Sequence, residues 1–229
     1  MRVRVGFTPV EQVAAPLGIV IDVLRATSTI CCALSAGFQE IVCVGEVEHA
    51  RALAGRSVAL AGERGNARID GFDYGNSPRA FVPGSDPRPR LVLTTTNGTR
   101  LLVAAAARCD EVLVGSLLNL DAVVAAARGA DEVAVLCAGV EGAFAIDDAY
   151  VAGRIAAALG GEPDDAAVAA ARLAKQFATG EEGIAHGISA ANIRAAGLEL
   201  DIPFCAHESV LDVVPRVVAR DATSVTVRL

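Results

Sequence analysis

The sequence predicts an α/β protein with three layers, α/β/α, around a mostly parallel or mixed sheet. Two observations lead to this class. Through the first 160 residues, short runs of β-branched and other apolar residues alternate with Ala-rich segments of helical character, as in folds where strands and helices alternate. Runs such as Leu17–Asp22 and Glu132–Cys137 are apolar at odd and even positions alike, so both faces of these strands should be buried under helices.

The elements follow in order along the chain. The predicted strands are Arg2–Gly6, Leu17–Asp22, Glu40–Val44, Val58–Ala61, Leu91–Thr95, Glu111–Val114 and Glu132–Cys137. The predicted helices are Thr27–Ala36, Val47–Ala54, Thr99–Ala107, Asp121–Ala127 and Asp147–Leu159. Residues 164–198 indicate short helices, and residues 222–229 indicate a closing strand. Because no linker or repeat interrupts the chain, we predict a single domain over residues 1–229 with a helical insertion around 162–200.

The composition argues against several classes of protein. No apolar run approaches the roughly 18–20 residues of a membrane span, and the start MRVRVGFTP resembles a strand rather than a signal peptide, so we expect a cytoplasmic protein without a membrane partner. A net charge of −7 without a basic stripe argues against nucleic acid. The six cysteines lack a CxxC spacing and the three histidines are scattered, which predicts buried reduced thiols and no zinc site. A homodimer is left open.

Polar residues collect in the loops that follow five of the predicted strands. These loops are DVLRATST, GERGNARIDGFDYGNSP, TTTNGTR, GSLLN and CAGVEGAFAIDD. In open α/β sheets, ligands bind beyond the carboxyl ends of the strands. We therefore predict that the loops meet at one edge of the sheet and form one ligand site.

The loop TTTNGTR, residues 94–100, precedes a predicted helix. The first turn of a helix carries free N–H groups and partial positive charge, and threonine hydroxyls add further donors, so the loop suits a phosphate or another oxyanion. Capping of the helix by Asn97 or Thr99 is the simpler explanation, but one cap does not account for Thr94–Thr96. The loop lacks the GK[ST] end of a Walker A motif.

Carboxylates lie in the same set of loops. Asp22 ends a strand beside Arg25. This pair could be an ion pair that fixes the loop, or it could place Asp22 on a metal or the attacking water while Arg25 grips an oxyanion. Asp147 and Asp148 open a helix, where the dipole favours acidic residues, yet two adjacent carboxylates also suit Mg²⁺, which takes one or two carboxylates, waters and phosphate oxygens. Glu63 is either a third metal ligand or a solvated charge.

Familiar covalent mechanisms do not fit the sequence. Cys137 has no arginine about six residues later to cradle a phosphate, as a cysteine phosphatase would need. The residues after Asp22 do not form a DxDxT motif, and no G-x-S-x-G elbow is present. Metal-assisted chemistry on an anionic substrate is what remains, with Asp22 open as base, ligand or phosphorylated nucleophile.

Taken together, the loops resemble one known family. IDVLRATST, GERG…GFDYGNSP, LTTTNGTR, GSLLN and CAGVEGAFAIDDAYVAG occur in this order as in the 2-phosphosulfolactate phosphatases, over about residues 17–160. The resemblance implies a three-layer α/β/α fold and Mg²⁺-dependent hydrolysis of 2-phospho-3-sulfolactate to sulfolactate and phosphate, on the route to coenzyme M. One departure is that the acidic pair, commonly Glu-Asp in the family, is Asp147-Asp148 here, so we expect a water between Asp147 and the metal.

The resemblance and the loops together give a set of expected site residues. The expected catalytic residues are Asp22 and Arg25. The expected substrate-binding residues are Thr27, Ser28, Arg64, Asn76, Ser77, Thr95, Thr96, Asn97, Gly98, Thr99 and Arg100. The expected ligands of Mg²⁺ are Asp147, Asp148 and Glu63. The arginines Arg25, Arg64, Arg79 and Arg100 are expected to neutralise the substrate's acid groups.

Two alternatives stay open at this point. One keeps the anion site but assigns a different phosphorylated hydroxy acid, with either hydrolysis or a lyase reaction. The other is a non-catalytic protein that binds a phosphorylated metabolite. Clustered carboxylates argue against the second, since a pure anion binder gains nothing from added negative charge.

Overall fold

The computed structural model describes all 229 residues and contains one mixed sheet of 11 strands. The strands are β1 (Arg2–Gly6), β2 (Leu17–Ile21), β3 (Glu40–Val44), β4 (Val58–Arg64), β5 (Ala67–Arg68), β6 (Arg90–Thr94), β7 (Glu111–Gly115), β8 (Glu132–Cys137), β9 (Glu162–Pro163), β10 (Arg216–Arg220) and β11 (Ser224–Arg228). The helices are α1 (Ala26–Ser35), α2 (Val47–Ala52), α3 (Gly98–Ala106), α4 (Leu120–Ala127), α5 (Ile146–Leu159), α6 (Asp165–Ala174), α7 (Gly180–Ala185), α8 (Ile188–Ala195) and α9 (Asp201–Cys205). Short 3₁₀ turns lie at Pro9–Glu11 and Pro78–Ala80. The predicted α/β class is confirmed.

Helices cover both faces of the sheet, and β2 shows why. Every residue of β2 is buried. Ile19 and Ile21 pack into one core with Tyr150 of α5, whereas Val20 packs into the opposite core with Leu102 of α3. Alternate side chains of a strand point to opposite faces, so a strand that is apolar throughout needs a helical layer on each side.

The sheet consists of two parallel groups joined by an antiparallel hairpin. The order is β5-β4-β6-β3-β11-β10-β7-β2-β8-β1-β9. Strands β4, β6 and β3 run parallel to one another, as do β7, β2, β8, β1 and β9. Each of the contacts β3–β11, β11–β10 and β10–β7 is antiparallel. If the sheet were flat, the two groups would point their carboxyl ends to opposite edges.

The sheet is instead strongly curled. Four strands separate β2 from β6, which would place them about 24 Å apart in a flat sheet. Nevertheless Asp22, just after β2, touches Gly98, the first residue of the helix after β6. Twist of about 20–25° per strand accumulates to about 100–125° over these five steps, and β10 adds an irregularity between Val217 and Ala219 of the kind that bends a strand. The curl, rather than a shared edge, therefore brings the loops together.

The segment after β9 carries helices that pack against α5. In α7, a Cβ added to Gly183 would lie only 2.5 Å from ring carbons of Tyr150, so the absence of a side chain allows α7 to lie directly on that ring. Phe177 packs edge-on against the same tyrosine, with ring centroids 5.7 Å apart. These contacts fix α7, and through it α8, beside the first turn of α5.

Two further predictions concern the membrane and the thiols. None of the helices has the length and apolar character needed to cross a membrane. All six cysteines are free and buried, as predicted. Burial raises the pKa of Cys31, Cys32 and Cys43 to about 12, so these thiols stay protonated at neutral pH and are poor nucleophiles.

Candidate active site

A polar pocket lies where the loops after β2, β4, β6 and β8 meet α5 and α8. Only 2 of its 16 lining residues are hydrophobic. The lining residues are Asp22, Leu24, Arg25, Glu63, Gly65, Asn66, Asn76, Thr96, Asn97, Gly139, Val140, Glu141, Asp147, Asp148, Ser189 and Asn192. Four of the five polar loops predicted from the sequence therefore converge, whereas the loop GSLLN after β7 does not reach the pocket.

Asp22 is held by the loop it begins. Its Oδ1 accepts a hydrogen bond from the backbone N–H of Ala26 at 3.2 Å, and the backbone N–H of Gly98 lies near the same carboxyl. Burial raises the pKa of Asp22 to about 7, with the nearby charges of Glu63 and Asp147 adding to the effect and the backbone N–H groups of Ala26 and Gly98 opposing it. The hydroxyl of Thr27 donates to the carbonyl of Asp22 at 2.9 Å and fixes the turn. Asp22 is thus a rigid carboxyl that can gain or lose a proton near neutral pH.

Asp147 and Asp148 occupy the first turn of α5 and differ in their partners. Asp148 accepts hydrogen bonds from the backbone N–H groups of Val23 and Gly139, each at 2.9 Å, so it joins the ends of β2 and β8. Asp147 accepts a hydrogen bond from the hydroxyl of Ser189 at 3.0 Å. Burial raises the pKa of Asp147 to about 6. The pKa of Asp148 is also raised, by burial first and then by the charges of Asp147 and Asp22.

Glu63 joins two loops. Its Oε1 accepts from the backbone N–H of Thr96 at 2.8 Å, and its Oε2 accepts from the backbone N–H of Asn66 at 2.9 Å. Gly65 and Asn66 both have positive φ, 57° and 66°, the geometry of a tight type I′ hairpin turn between β4 and β5. The turn places Asn66 on the wall of the pocket.

The three expected metal ligands do not form a ready-made cage. No group of three or more His, Cys, Asp or Glu side chains is placed to hold an ion. Each oxygen of Asp148 and of Glu63 already accepts one backbone N–H, as described above. What the pocket does contain is four buried carboxyl groups, Asp22, Glu63, Asp147 and Asp148, against one cationic side chain, Arg25.

The loop TTTNGTR serves several purposes at once. Thr95 and Thr99 bond to each other, with the N–H of Thr99 donating to Oγ1 of Thr95 at 3.1 Å, so Thr95 rather than Asn97 caps α3. Only Thr96 and Asn97 line the pocket. Gly98 leaves room for Asp22, because a Cβ there would lie 3.0 Å from Cβ of Asp22 and closer still to its Oδ2.

Arg25 is almost fully buried, with 2% of its surface exposed. Its Nη1 donates to Oδ2 of Asp201 at 2.6 Å, so the ion pair of Arg25 is with Asp201 and not with Asp22, which was one of the two alternatives. The aspartate lies 176 residues further along the chain. Oδ1 of Asp201 accepts a hydrogen bond from the hydroxyl of Ser77 at 2.7 Å.

Three polar atoms in this pocket lack partners. In the whole protein, four buried side-chain nitrogen or oxygen atoms have no hydrogen bond: Arg25 Nε, Asn76 Oδ1, Thr96 Oγ1 and Ser35 Oγ. The first three belong to residues that line the pocket. Because buried polar atoms are nearly always bonded, this concentration indicates a place where a polar ligand supplies the missing partners.

The structure places several expected binding residues outside the pocket lining. Arg64 donates to the carbonyl of Gly45 at 2.9 Å, and Arg100 pairs with Glu46 at the surface at 3.1 Å. Arg79 lies 3.9 Å from Asp201 on the outer side of the site. The remaining expected residues that do not line it are Thr27, Ser28, Ser77, Thr95, Gly98 and Thr99. The expectation that four arginines neutralise the substrate is therefore not met, since a long guanidinium side chain in a polar loop can turn outward as easily as inward.

Other lining residues were not predicted. Asn66 belongs to a recognised loop but gave no signal of its own. Glu141 lies in a second tight turn, and its N–H donates to Oδ1 of Asn97 at 3.0 Å. Ser189 and Asn192 lie on α8, which follows no strand, so a search of strand ends could not find them.

Comparisons with known proteins identify the family. The family model described as 2-phosphosulpholactate phosphatase matches residues 6–220. A Thermus thermophilus protein named probable 2-phosphosulfolactate phosphatase is 38% identical over 222 residues, 94% of each chain. A Methanothermobacter thermautotrophicus protein named 2-phosphosulfolactate phosphatase is 38% identical, covering 94% of this chain and 92% of its own. A Thermotoga maritima protein named probable 2-phosphosulfolactate phosphatase is 36% identical, covering 94% and 95%. The resemblance seen in the loops is thereby confirmed: the chain belongs to the 2-phosphosulpholactate phosphatase family and is a phosphoric monoester hydrolase.

Proposed function

We propose that this protein is a Mg²⁺-dependent phosphatase that hydrolyses 2-phospho-3-sulfolactate to 3-sulfolactate and phosphate. The observation that carries the proposal is the single pocket in which four buried carboxyl groups meet Arg25 and three unpartnered polar atoms. The names of the relatives in Thermus thermophilus and Methanothermobacter thermautotrophicus support the substrate. The place on the route to coenzyme M stays a prediction.

The donor set fits a magnesium ion. Buried carboxylates without counter-charges are costly, which is why the pKa values of Asp22, Asp147 and Asp148 are raised. Mg²⁺ takes oxygen ligands, commonly one or two carboxylates with waters and phosphate oxygens. Asp147, whose only side-chain partner is Ser189, would hold the ion, and Asp148 and Glu63 each keep a second lone pair on every oxygen for it. When bound, the ion supplies charge stabilisation to the transferring phosphoryl group.

The chain's own residues would orient the reactants. Asp22, fixed by Ala26 and Gly98 and with a pKa raised to about 7, would orient the attacking water and accept its proton. The unpartnered hydroxyl of Thr96 and the uncommitted NH₂ of Asn97 would donate to phosphoryl oxygens. Such positioning carries most of the catalysis in phosphoryl transfer, because little covalent chemistry is required of the protein.

A phosphate-release assay tests the proposal. We expect turnover of 2-phospho-3-sulfolactate in the presence of Mg²⁺, loss of turnover in EDTA, and recovery when Mg²⁺ is restored. A panel of other phosphorylated hydroxy acids, such as phospholactate and phosphoglycerate, would measure the preference for the sulfonate. Full activity in EDTA would overturn the role of the metal. A preference for another ester would overturn the substrate.

A further inference from the structure

The one cationic side chain in the pocket has one nitrogen without a partner. Nη1 of Arg25 donates to Asp201 at 2.6 Å, and Nη2 donates to Oδ1 of Asn66 at 3.4 Å. Nε has no partner although the side chain is almost fully buried. Nε is therefore the one nitrogen of Arg25 without any partner, although Nη1 and Nη2 each keep a second N–H, and the guanidinium is held in direction by the two contacts.

Asp201 sets that direction. Its side chain is 1% exposed, and its two oxygens are engaged by different groups, Oδ2 by Arg25 and Oδ1 by the hydroxyl of Ser77. A carboxylate clamped from both sides cannot follow a guanidinium that rotates. Asp201 also offsets the charge of Arg25, so this arginine contributes aimed donors more than net positive charge.

Two amides, those of Asn66 and Asn76, line the same pocket as Arg25. The carbonyl oxygen of Asn66 is committed to Arg25, which leaves its NH₂ group as the uncommitted end on the pocket wall. Asn76 is 5% exposed and carries an unpartnered polar atom. Its amide presents either oxygen or NH₂ there, since rotation by half a turn exchanges the two. Arg25, Asn66 and Asn76 together can surround one oxyanion with donors.

We propose that Arg25, Asn66 and Asn76 form a subsite for an acid group of the substrate that does not react, a sulfonate or carboxylate, and that Asp201 is the positioning residue that aims Arg25 at it. This inference rests on the proposed function, because the proposed substrate carries both groups beside its phosphoryl. A charge-compensated guanidinium is poorly suited to stabilise charge that develops at the phosphoryl during reaction. It is well suited to recognise the shape of a permanent anion.

The test measures binding of two probes by titration calorimetry in the presence of Mg²⁺. One probe is 3-sulfolactate, which has the acid groups but no phosphoryl, and the other is inorganic phosphate. For Asp201→Asn we expect the ratio of the two dissociation constants to shift about 10-fold or more against 3-sulfolactate, as loss of aimed hydrogen bonds to a charged group implies. The positive charge that this substitution unmasks lies beside the proposed subsite and by itself would favour 3-sulfolactate, so a shift against 3-sulfolactate reports the lost geometry.

Two further variants complete the design. Asn66→Gly retains the turn, because glycine accepts the positive φ of this position, and removes only the amide; we expect a shift of several-fold in the same direction. This variant also covers the case in which Asp201→Asn does not fold. Glu46→Gln removes a carboxylate from an exposed arginine pair and should leave the ratio unchanged.

Three results would overturn the inference. They are absence of 3-sulfolactate binding to the wild type, a ratio that does not move in the folded variants, and a loss of phosphate affinity equal to or larger than the loss for 3-sulfolactate. The last would place the phosphoryl at Arg25. Failure of the wild type to release phosphate from 2-phospho-3-sulfolactate would refute the proposed function separately, since the binding measurements do not depend on turnover.

Discussion

Replacement of Gly98 by alanine should inactivate the enzyme through Asp22. The new Cβ would lie 2.6 Å from Cβ of Ala26 and 3.0 Å from Cβ of Asp22, with Oδ2 of Asp22 nearer still. Carbon atoms normally approach to about 3.5–4.0 Å, so the start of α3 or the Asp22 loop must move by about 1 Å. Both lie in the buried centre of the site, where neighbouring atoms leave little room for that shift.

The size of the effect can be worked from that displacement. A misplacement of about 1 Å at a catalytic group costs on the order of 100-fold in rate, or about 2.7 kcal/mol in transition-state stabilisation. Overpacking would also lower stability by about 1–3 kcal/mol, against a gain of at most about 1 kcal/mol from replacing glycine in a helix. We therefore expect Gly98→Ala to fold, with a modestly lower Tm and a kcat/KM reduced about 100-fold.

Phosphate release and thermal unfolding would be measured on the same preparations. Gly129→Ala is the matched control, because nothing lies within 4 Å of its added Cβ, and it should retain full activity. Adding Ala26→Gly to Gly98→Ala removes one contact but leaves the clash with Asp22, so it should not restore turnover. A folded Gly98→Ala enzyme with normal kcat/KM, or full rescue by Ala26→Gly, would refute the reasoning.

Three further predictions concern stability and reactivity. In metal-free buffer, the free energy of unfolding should fall as pH rises from about 4 to 7. Asp22 and Asp147 have pKa values raised from 3.8 to about 7 and about 6, so over this range the folded protein holds protons that the unfolded chain releases. A free energy of unfolding, measured by urea titration, that stays constant or rises across this range would contradict the prediction. Mg²⁺ should raise the Tm more at pH 8 than at pH 5, since protonated carboxyls do not bind the ion; equal shifts measured by scanning calorimetry would count against the site. In Glu63→Gln, the side chain can accept only one of the two N–H groups now bound by Glu63, so the variant should lose about 1–3 kcal/mol of stability and part of its activity. An unchanged Tm with full phosphate release would show that Glu63 does not hold the two loops together.

Most strands could be predicted because burial constrains their composition. The bounds of Arg2–Gly6, Glu40–Val44 and Glu132–Cys137 are those predicted, since the first alternates arginine with valine and the other two are apolar runs that begin at a glutamate. The strand Arg216–Arg220 was missed because its residues are half-buried or exposed and arginines flank it. The five-residue helix Asp201–Cys205 contains a proline and is too short to show a helical period.

Some residues of the site could likewise be predicted from the sequence and others could not. Carboxylates at strand ends were identifiable because a short acidic side chain has little freedom to leave the place where its backbone puts it. Arginines were not, because a long side chain can reach away from its own loop, as Arg100 does. The link between Arg25 and Asp201 spans 176 residues, and neither local pattern nor spacing carries information over that distance.

The assumption of a common sheet edge was incomplete for a related reason. Parallel order within each group of strands follows from local strand–helix–strand units. The two groups run in opposite directions because the antiparallel hairpin of β10 and β11 joins them. No pattern in the residues before this hairpin predicts that arrangement.

That hairpin has a consequence for how activity arises during folding. Either parallel group could collapse by itself around its own helices, but neither contains a complete pocket, since Asp22 belongs to one and Glu63 to the other. The two strands that join the groups, β10 and β11, come after every other strand along the chain. A polypeptide cleaved before Arg216 should therefore contain two groups of strands that are inactive. Adding residues 216–229 as a separate peptide would test directly whether a strand pair that contributes no residue to the pocket restores activity.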